Sequence, residues 1–173
     1  MSDFYQTIRW KQVDSFLFEG VINEDWMQGR SAFGGVGVGA ALHAVKSQCV
    51  DTHRVLSLQS SFLSPLKMGA TQLELKILRR GRNITFWNAL ITQNEHLAIM
   101  MMLTTGQSRS TQIPPTPTPK LNLKPIEQLT ALPFIQGTTP NFTQHFEYRW
   151  GPENLPFSQA KEAKVSGWIR PKG

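Results

Sequence analysis

At 173 residues, with 40% apolar and 17% charged side chains, the chain is long enough to bury one proper core and has the composition of an ordinary globular protein. No run approaches the ~20 apolar residues of a membrane span, and a single cysteine, Cys49, excludes an internal disulfide and any paired Cys/His zinc spacing. The net charge of +6 is scattered: its densest cluster is only Arg79-Arg80-Gly81-Arg82, and no nucleic-acid-binding motif accompanies it.

The opening, Met1-Ser2-Asp3-Phe4-Tyr5, has no basic region followed by an apolar one, so no signal peptide is expected and the location is read as cytoplasmic. Phe16 to Ile22 alternates loosely and predicts a strand, interrupted at Gly20. Asn23-Glu24-Asp25 is a turn, from which Trp26 and Met27 lead into a glycine-rich stretch. Beyond a tight Gly34-Gly35 turn, nearly every residue to Val45 is small or apolar, which argues a buried helix that fades near Ser47 to Cys49. Gly37 and Gly39 each cost about 1 kcal/mol against alanine in a helix interior, so some backbone is expected to come close to this helix. Its first turn leaves N–H groups free to hold a carbonyl oxygen or an anion.

Val55 to Leu63 predicts a strand with Leu56, Leu58 and Phe62 on one face and Ser57, Gln59 and Ser61 on the other, ended by Ser64-Pro65. Thr71 to Ile77 alternates clearly, and the basic turn at Arg80-Gly81-Arg82-Asn83 connects it to Ile84 through Thr92. That strand has large residues on both faces and is expected to be central. Gln93-Asn94-Glu95-His96 turns into Leu97 to Leu103, apolar throughout, as in a strand covered on both sides. The class is α+β: an antiparallel sheet wrapped around one central glycine/alanine-rich helix, and the hot-dog fold is the form that demands a helix of small residues.

Composition shifts near Ser108. Residues 1–110 are read as the hot-dog domain, 111–140 as a linker carrying Ile113-Pro114-Pro115-Thr116-Pro117-Thr118-Pro119, and 141–173 as two strand-like pieces with no helix to cover. Those pieces are Phe142 to Trp150 and Lys164 to Ile169; Leu121 to Leu132 is short helix or coil.

In their order and spacing these segments resemble the acyl-CoA thioesterases that carry two hot-dog repeats in one chain, the thioesterase II type. The resemblance rests on Phe33-Gly34-Gly35 with its helix, Leu58-Gln59-Ser60-Ser61-Phe62-Leu63-Ser64-Pro65, Leu78-Arg79-Arg80-Gly81-Arg82-Asn83 and Ala98 to Thr105. Ser166-Gly167-Trp168-Ile169-Arg170 is similar to the strand before the second repeat's helix. The resemblance implies hydrolysis of acyl-CoA to free acid and CoA, without a cofactor or metal. It also implies that the catalytic Asp, Thr and Gln come mainly from the second repeat, which this sequence only begins. On that basis the chain is a fragment, or a split or degenerate member. By repeat-to-repeat correspondence the Asp position falls on Ser57, and serine cannot serve as the water-activating carboxylate.

The candidate substrate-binding residues are the backbone of Gly34, Gly35 and Val36 for the thioester carbonyl, and Gln59, Asn83 and Thr85 for polar groups of the substrate. Arg80 and Arg82 are the candidates for its phosphates, which suit guanidinium forks. The candidate catalytic residues are Asp25, the one carboxylate close before the glycine stretch, and Ser57. His43 is read as a packed or rim histidine. The expected partners are acyl-CoA and a second copy of the chain, with no nucleic acid and no membrane span. The rival reading is a non-catalytic module that binds acyl-CoA or serves as half of an assembly.

Overall fold

A computed structural model describes residues 3–50, 52–118, 123–151, 158–162 and 164–172. The chain divides into two units, Met1–Ser110 and Thr111–Gly173. The first begins with a short helix α1 (Phe4–Ile8) and strands β1 (Lys11–Asp14) and β2 (Leu17–Ile22). A 3-10 turn over Glu24–Trp26 and a small hairpin of β3 (Met27–Gln28) and β4 (Ser31–Ala32) then lead to helix α2 (Gly34–Ser47). Four long strands follow: β5 (His53–Phe62), β6 (Gly69–Arg80), β7 (Ile84–Gln93) and β8 (His96–Gln107). Six strands form one antiparallel sheet in the order β1-β2-β6-β7-β8-β5. This is the expected α+β architecture, with α2 against one face of the sheet.

Alternation along the strands decides which face α2 covers. On β6, Thr71, Leu73 and Leu75 are buried while Gln72, Glu74 and Lys76 are exposed. On β7, Thr85, Trp87, Ala89, Ile91 and Gln93 are buried, and the strand is central as expected. α2 buries Val36, Ala40, Ala41, Ala44 and Val45. Its glycines are explained differently from the sequence expectation, because side chains rather than backbone approach it. A Cβ on Gly37 would lie 2.6 Å from Ile99 Cδ1, and one on Gly39 would lie 2.8 Å from Ile8 Cγ2 of α1. Gly20 does not interrupt β2; it makes room for the indole of Trp10, whose atoms lie 2.5 Å from the place of a Cβ.

Three further expectations are corrected. Helix α2 starts at Gly34, so the glycine pair is its first turn and not a turn before it. β5 pairs with β8 at the sheet edge and carries a bulge between Val55 and Ser57, which takes Leu56 off the face it was expected to share with Leu58 and Phe62. β8 is not covered throughout on both faces: Ile99, Met101 and Leu103 are buried on the α2 side, while on the other Met100 is half-buried and Met102 is 52% exposed.

In the second unit, Thr111 to Thr118 has neither helix nor strand. Strands β9 (Phe146–Trp150) and β10 (Gly167–Pro171) pair antiparallel, shorter than the two pieces expected. Asn141–His145 forms a 3-10 turn instead of strand. Lys124 to Leu132 is fastened to this hairpin. Trp168 Nε1 donates to the Lys124 carbonyl at 3.0 Å, Arg149 to the Leu129 carbonyl at 2.6 Å, and Leu132 N–H to the Tyr148 carbonyl at 2.8 Å. Hydrogen bonds from Arg149 and Arg170 hold the Glu147 carboxyl below the usual carboxylate range. Among the described residues, no helix is long and apolar enough to cross a membrane.

Candidate functional site

The start of α2 is left chemically open by its own sequence. Its N-cap position is Phe33, which has no side-chain oxygen to accept from the first N–H groups. Val36 N–H donates to the Phe33 carbonyl at 2.9 Å, whereas the N–H groups of Gly34 and Gly35 have no hydrogen-bond partner among the described residues. The positive end of the helix dipole lies at the same place. Aromatic rings crowd both glycines: a Cβ on Gly34 would lie 2.9 Å from Phe62 Cζ, and one on Gly35 would overlap Phe33 Cε1 more closely still.

A cavity of about 310 Å³ opens at this helix start, walled by Ala32, Phe33, Phe62, Leu63, Pro65, Leu66 and Ile99, with Arg30, Ser31 and Ser64 adding polar groups. Backbone bonds hold its wall in place. Ala32 N–H donates to the Leu66 carbonyl at 2.7 Å, and Leu63 and Ser64 N–H both donate to the Ala98 carbonyl, at 2.8 and 3.2 Å. Ser64 Oγ donates to the Leu97 carbonyl at 3.1 Å. An apolar pocket lined by Gly34, the first residue of a helix turn with two uncommitted N–H groups, suits a carbonyl oxygen attached to an acyl chain. Among the described residues, Arg30 is the one charged residue of the lining, and no carboxylate belongs to it. A larger open groove of about 440 Å³ lies between Lys11, Glu19, Gln72 and Glu95, and no residue of α2 borders it.

The sequence candidates do not converge on one site. Gly34 lines the cavity and Gly35 follows it in the first turn, but Val36 is fully buried and its N–H is committed to Phe33. Asp25 sits in the 3-10 turn, tied to the helix start because Phe33 N–H donates to the Trp26 carbonyl at 2.9 Å; it does not line the cavity. Ser57 and Gln59 pair with Thr104 and Met102 and so lie on the sheet face turned away from α2. Arg80, Arg82, Asn83 and Thr85 are at the opposite end of the sheet. Along β8, Ile99 pairs with Phe62 at the cavity and Thr105 pairs with Thr85, a separation of about 20 Å at the usual rise per strand residue. Thr85 is buried there, while Arg80 and Arg82 are exposed.

Sequence reasoning missed Phe33, Phe62 and Arg30 as parts of the site. The one signal was an aromatic residue directly before the glycine pair. It also missed Ser60, in register with Met101 on the α2 side of β5, whose Oγ is buried without a hydrogen-bond partner among the described residues.

His43 stands apart from the cavity, packed edge-on against Tyr5 with ring centroids 5.9 Å apart, and Arg9 lies 4.8 Å over the same Tyr5 ring. Burial, and then the charge of Arg9, hold the imidazole below its ordinary 6.5. Below that pH the unfolded chain takes up a proton that the folded chain resists, so stability falls as pH drops through 6.5 and levels off below the folded value. The melting temperature should therefore decline between about pH 7 and pH 5, and His43→Gln should flatten that part of the profile.

Residues 22–106 match the family model described as the acyl-CoA thioesterase N-terminal domain. No curated protein matches the sequence. Among solved structures, a hot-dog protein of unknown function from Alicyclobacillus acidocaldarius is similar over 97% of this chain and 62% of its own, with a TM-score of 0.85 at 18% identity. An acyl-CoA thioesterase II from Mycobacterium marinum is similar over 98% and 60%, with a TM-score of 0.72 at 15% identity. The tesB protein of Mycobacterium avium subspecies paratuberculosis is similar over 98% and 60%, with a TM-score of 0.73 at 21% identity. The chain thus spans about three-fifths of the length of these structures, and at such identities they speak for the hot-dog fold alone. Through residues 22–106, about half its length, the chain belongs to the acyl-CoA thioesterase family.

Proposed function

We propose that this is an acyl-CoA thioesterase-type protein whose cavity at the start of α2 receives the acyl group of an acyl-CoA. The observation that carries this reading is the uncommitted first turn of α2, with the N–H groups of Gly34 and Gly35, beside an apolar cavity that Gly34 lines. These N–H groups would donate to the thioester oxygen and favour the negative charge it gains when water attacks. The acyl chain would lie against Phe62, Leu66 and Ile99. Calorimetric titration with octanoyl-CoA and with free CoA tests it. Octanoyl-CoA is expected to bind at least tenfold more tightly, because burying each methylene contributes roughly 0.8 kcal/mol. Equal affinity for the two would refute the site.

One observation favours the non-catalytic reading for this chain by itself: among the described residues, no carboxylate lines the cavity. In that reading the chain binds the thioester, and the base that activates water comes from elsewhere.

Self-association belongs to the same proposal. β5 is an edge strand with Val55 and Phe62 exposed at 40 and 58%, and an exposed edge of this kind is usually paired or covered. A second copy joined edge to edge across a two-fold axis would pair it. Light scattering at micromolar concentration should give twice the chain mass, and a single-chain mass would remove this element of the proposal.

A further inference from the structure

The corner of the sheet farthest from the cavity combines two kinds of side chain that water alone does not favour together. Leu56, Leu78, Ile84 and Phe86 are 45, 48, 37 and 40% exposed. Arg54, Arg79 and Arg82 stand among them, exposed, with no ion-pair partner among the described residues. The pairing brings these residues to one place. Arg79 is in register with Phe86, and Ile84 is in register with Gly106, which pairs in turn with Arg54. Gly106 leaves the outer face open at its own position, and Leu56, displaced by the bulge in β5, fills it: its Cδ1 lies 2.9 Å from where a Cβ on Gly106 would be. Leu78 is displaced in the same way by the bulge in β6, next to Arg79. Both bulges thus push an aliphatic residue out beside an arginine.

We infer that this corner, made by the β6–β7 turn and the start of β5, docks on an anionic phospholipid surface. Guanidinium groups bind lipid phosphates by forked hydrogen bonds, and exposed aliphatic and aromatic side chains enter the boundary between headgroups and acyl chains. Nucleic acid would satisfy the arginines and leave the aliphatic side chains in water. A second copy of the chain would bring like charges against each other at this face. Among the candidate partners, a lipid surface is the one that takes both kinds of group.

Co-sedimentation of the whole chain with vesicles tests the inference. Phosphatidylcholine vesicles containing phosphatidylserine should carry the chain down, phosphatidylcholine alone should not, and added salt should weaken the binding. The double variant Arg79→Gln, Arg82→Gln should bind about 30-fold more weakly, at the usual contribution of each basic residue near an anionic surface. Leu78→Ser should weaken vesicle binding several-fold and leave binding to a single-stranded RNA oligomer unchanged. Equal binding to neutral vesicles, or anionic-vesicle binding untouched by the arginine variant, would overturn it. So would RNA binding tighter than vesicle binding, which would identify a nucleic-acid surface, or a solution dimer dissolved by Leu78→Ser, which would identify a contact between copies. The comparison of anionic with neutral vesicles uses the unaltered chain and stands whatever the variants do to folding.

Discussion

Gly37→Val is expected to lower the melting temperature of the 1–110 unit by about 10–20 °C, the equivalent of roughly 3 kcal/mol for a unit of this size. In a bare helix the change would help slightly, because glycine is the poorer helix former. Here the added Cβ would meet Ile99 Cδ1 at 2.6 Å and Ile91 Cδ1 at 3.2 Å. Ile91 and Ile99 are themselves buried, so neither side chain has solvent to move into. Overpacking therefore outweighs helix propensity. Gly35→Val has a different expected outcome, although its clash is tighter. The side chain in its way is the ring of Phe33, which is only half-buried and can swing aside. That variant should melt within a few degrees of the unaltered chain and lose acyl-CoA binding, since the displaced ring and the new side chain both crowd the N–H donors. Thermal unfolding and titration with octanoyl-CoA measure the two effects separately. An unchanged melting temperature in Gly37→Val would contradict the tight sheathing of α2, and normal binding by Gly35→Val would contradict the oxyanion role.

The second large effect concerns turnover. Removing a general base commonly lowers a rate by about 10²–10⁴, while binding and carbonyl polarisation survive. With no carboxylate among the described residues of the cavity lining, this chain alone is expected to release CoA thiol from octanoyl-CoA that much more slowly than a two-repeat thioesterase. Ser57 is not expected to compensate, because it faces away from α2; Ser57→Ala should leave the rate unchanged. Asp25 is the acidic candidate that the sequence offered, tied to the helix start through the neighbouring Trp26 carbonyl. Turnover at the ordinary enzymatic level of roughly 1–10³ per second would defeat the expectation of weak activity. If that turnover then vanished in Asp25→Asn, the base would be Asp25.

Much of the first unit was legible from residues whose local preference and tertiary role agree. The Thr71–Ile77 alternation became the two faces of β6, and the small-residue run to Val45 became the buried helix. The β6–β7 and β7–β8 connections were readable because turn residues mark short hairpins, where the partner is the next segment along the chain. α1 and β1 escaped notice because each is short: α1 is held by distant packing, Ile8 against Gly39, and all four residues of β1 are exposed, so no alternation marks that strand. The bulges were equally hidden: an extra residue in a strand is visible only against the strand that it fails to match.

The class of fold, the helix at its centre and the presence of free N–H groups in its first turn were therefore legible in the chain. These follow from period, residue size and the lack of intrahelical partners in any first turn, all of which are local properties. Which candidates share a site was decided only by the tertiary structure. Strand pairing carries a residue about 3.3 Å per position along the sheet, and each step reverses its face. The sequence distance from Gly34 to Phe62 therefore closes to a contact at the cavity, with Phe33 beside it. The same pairing sends Ser57 and Gln59 to the opposite face, and Arg80, Arg82 and Asn83 to the far end of the sheet.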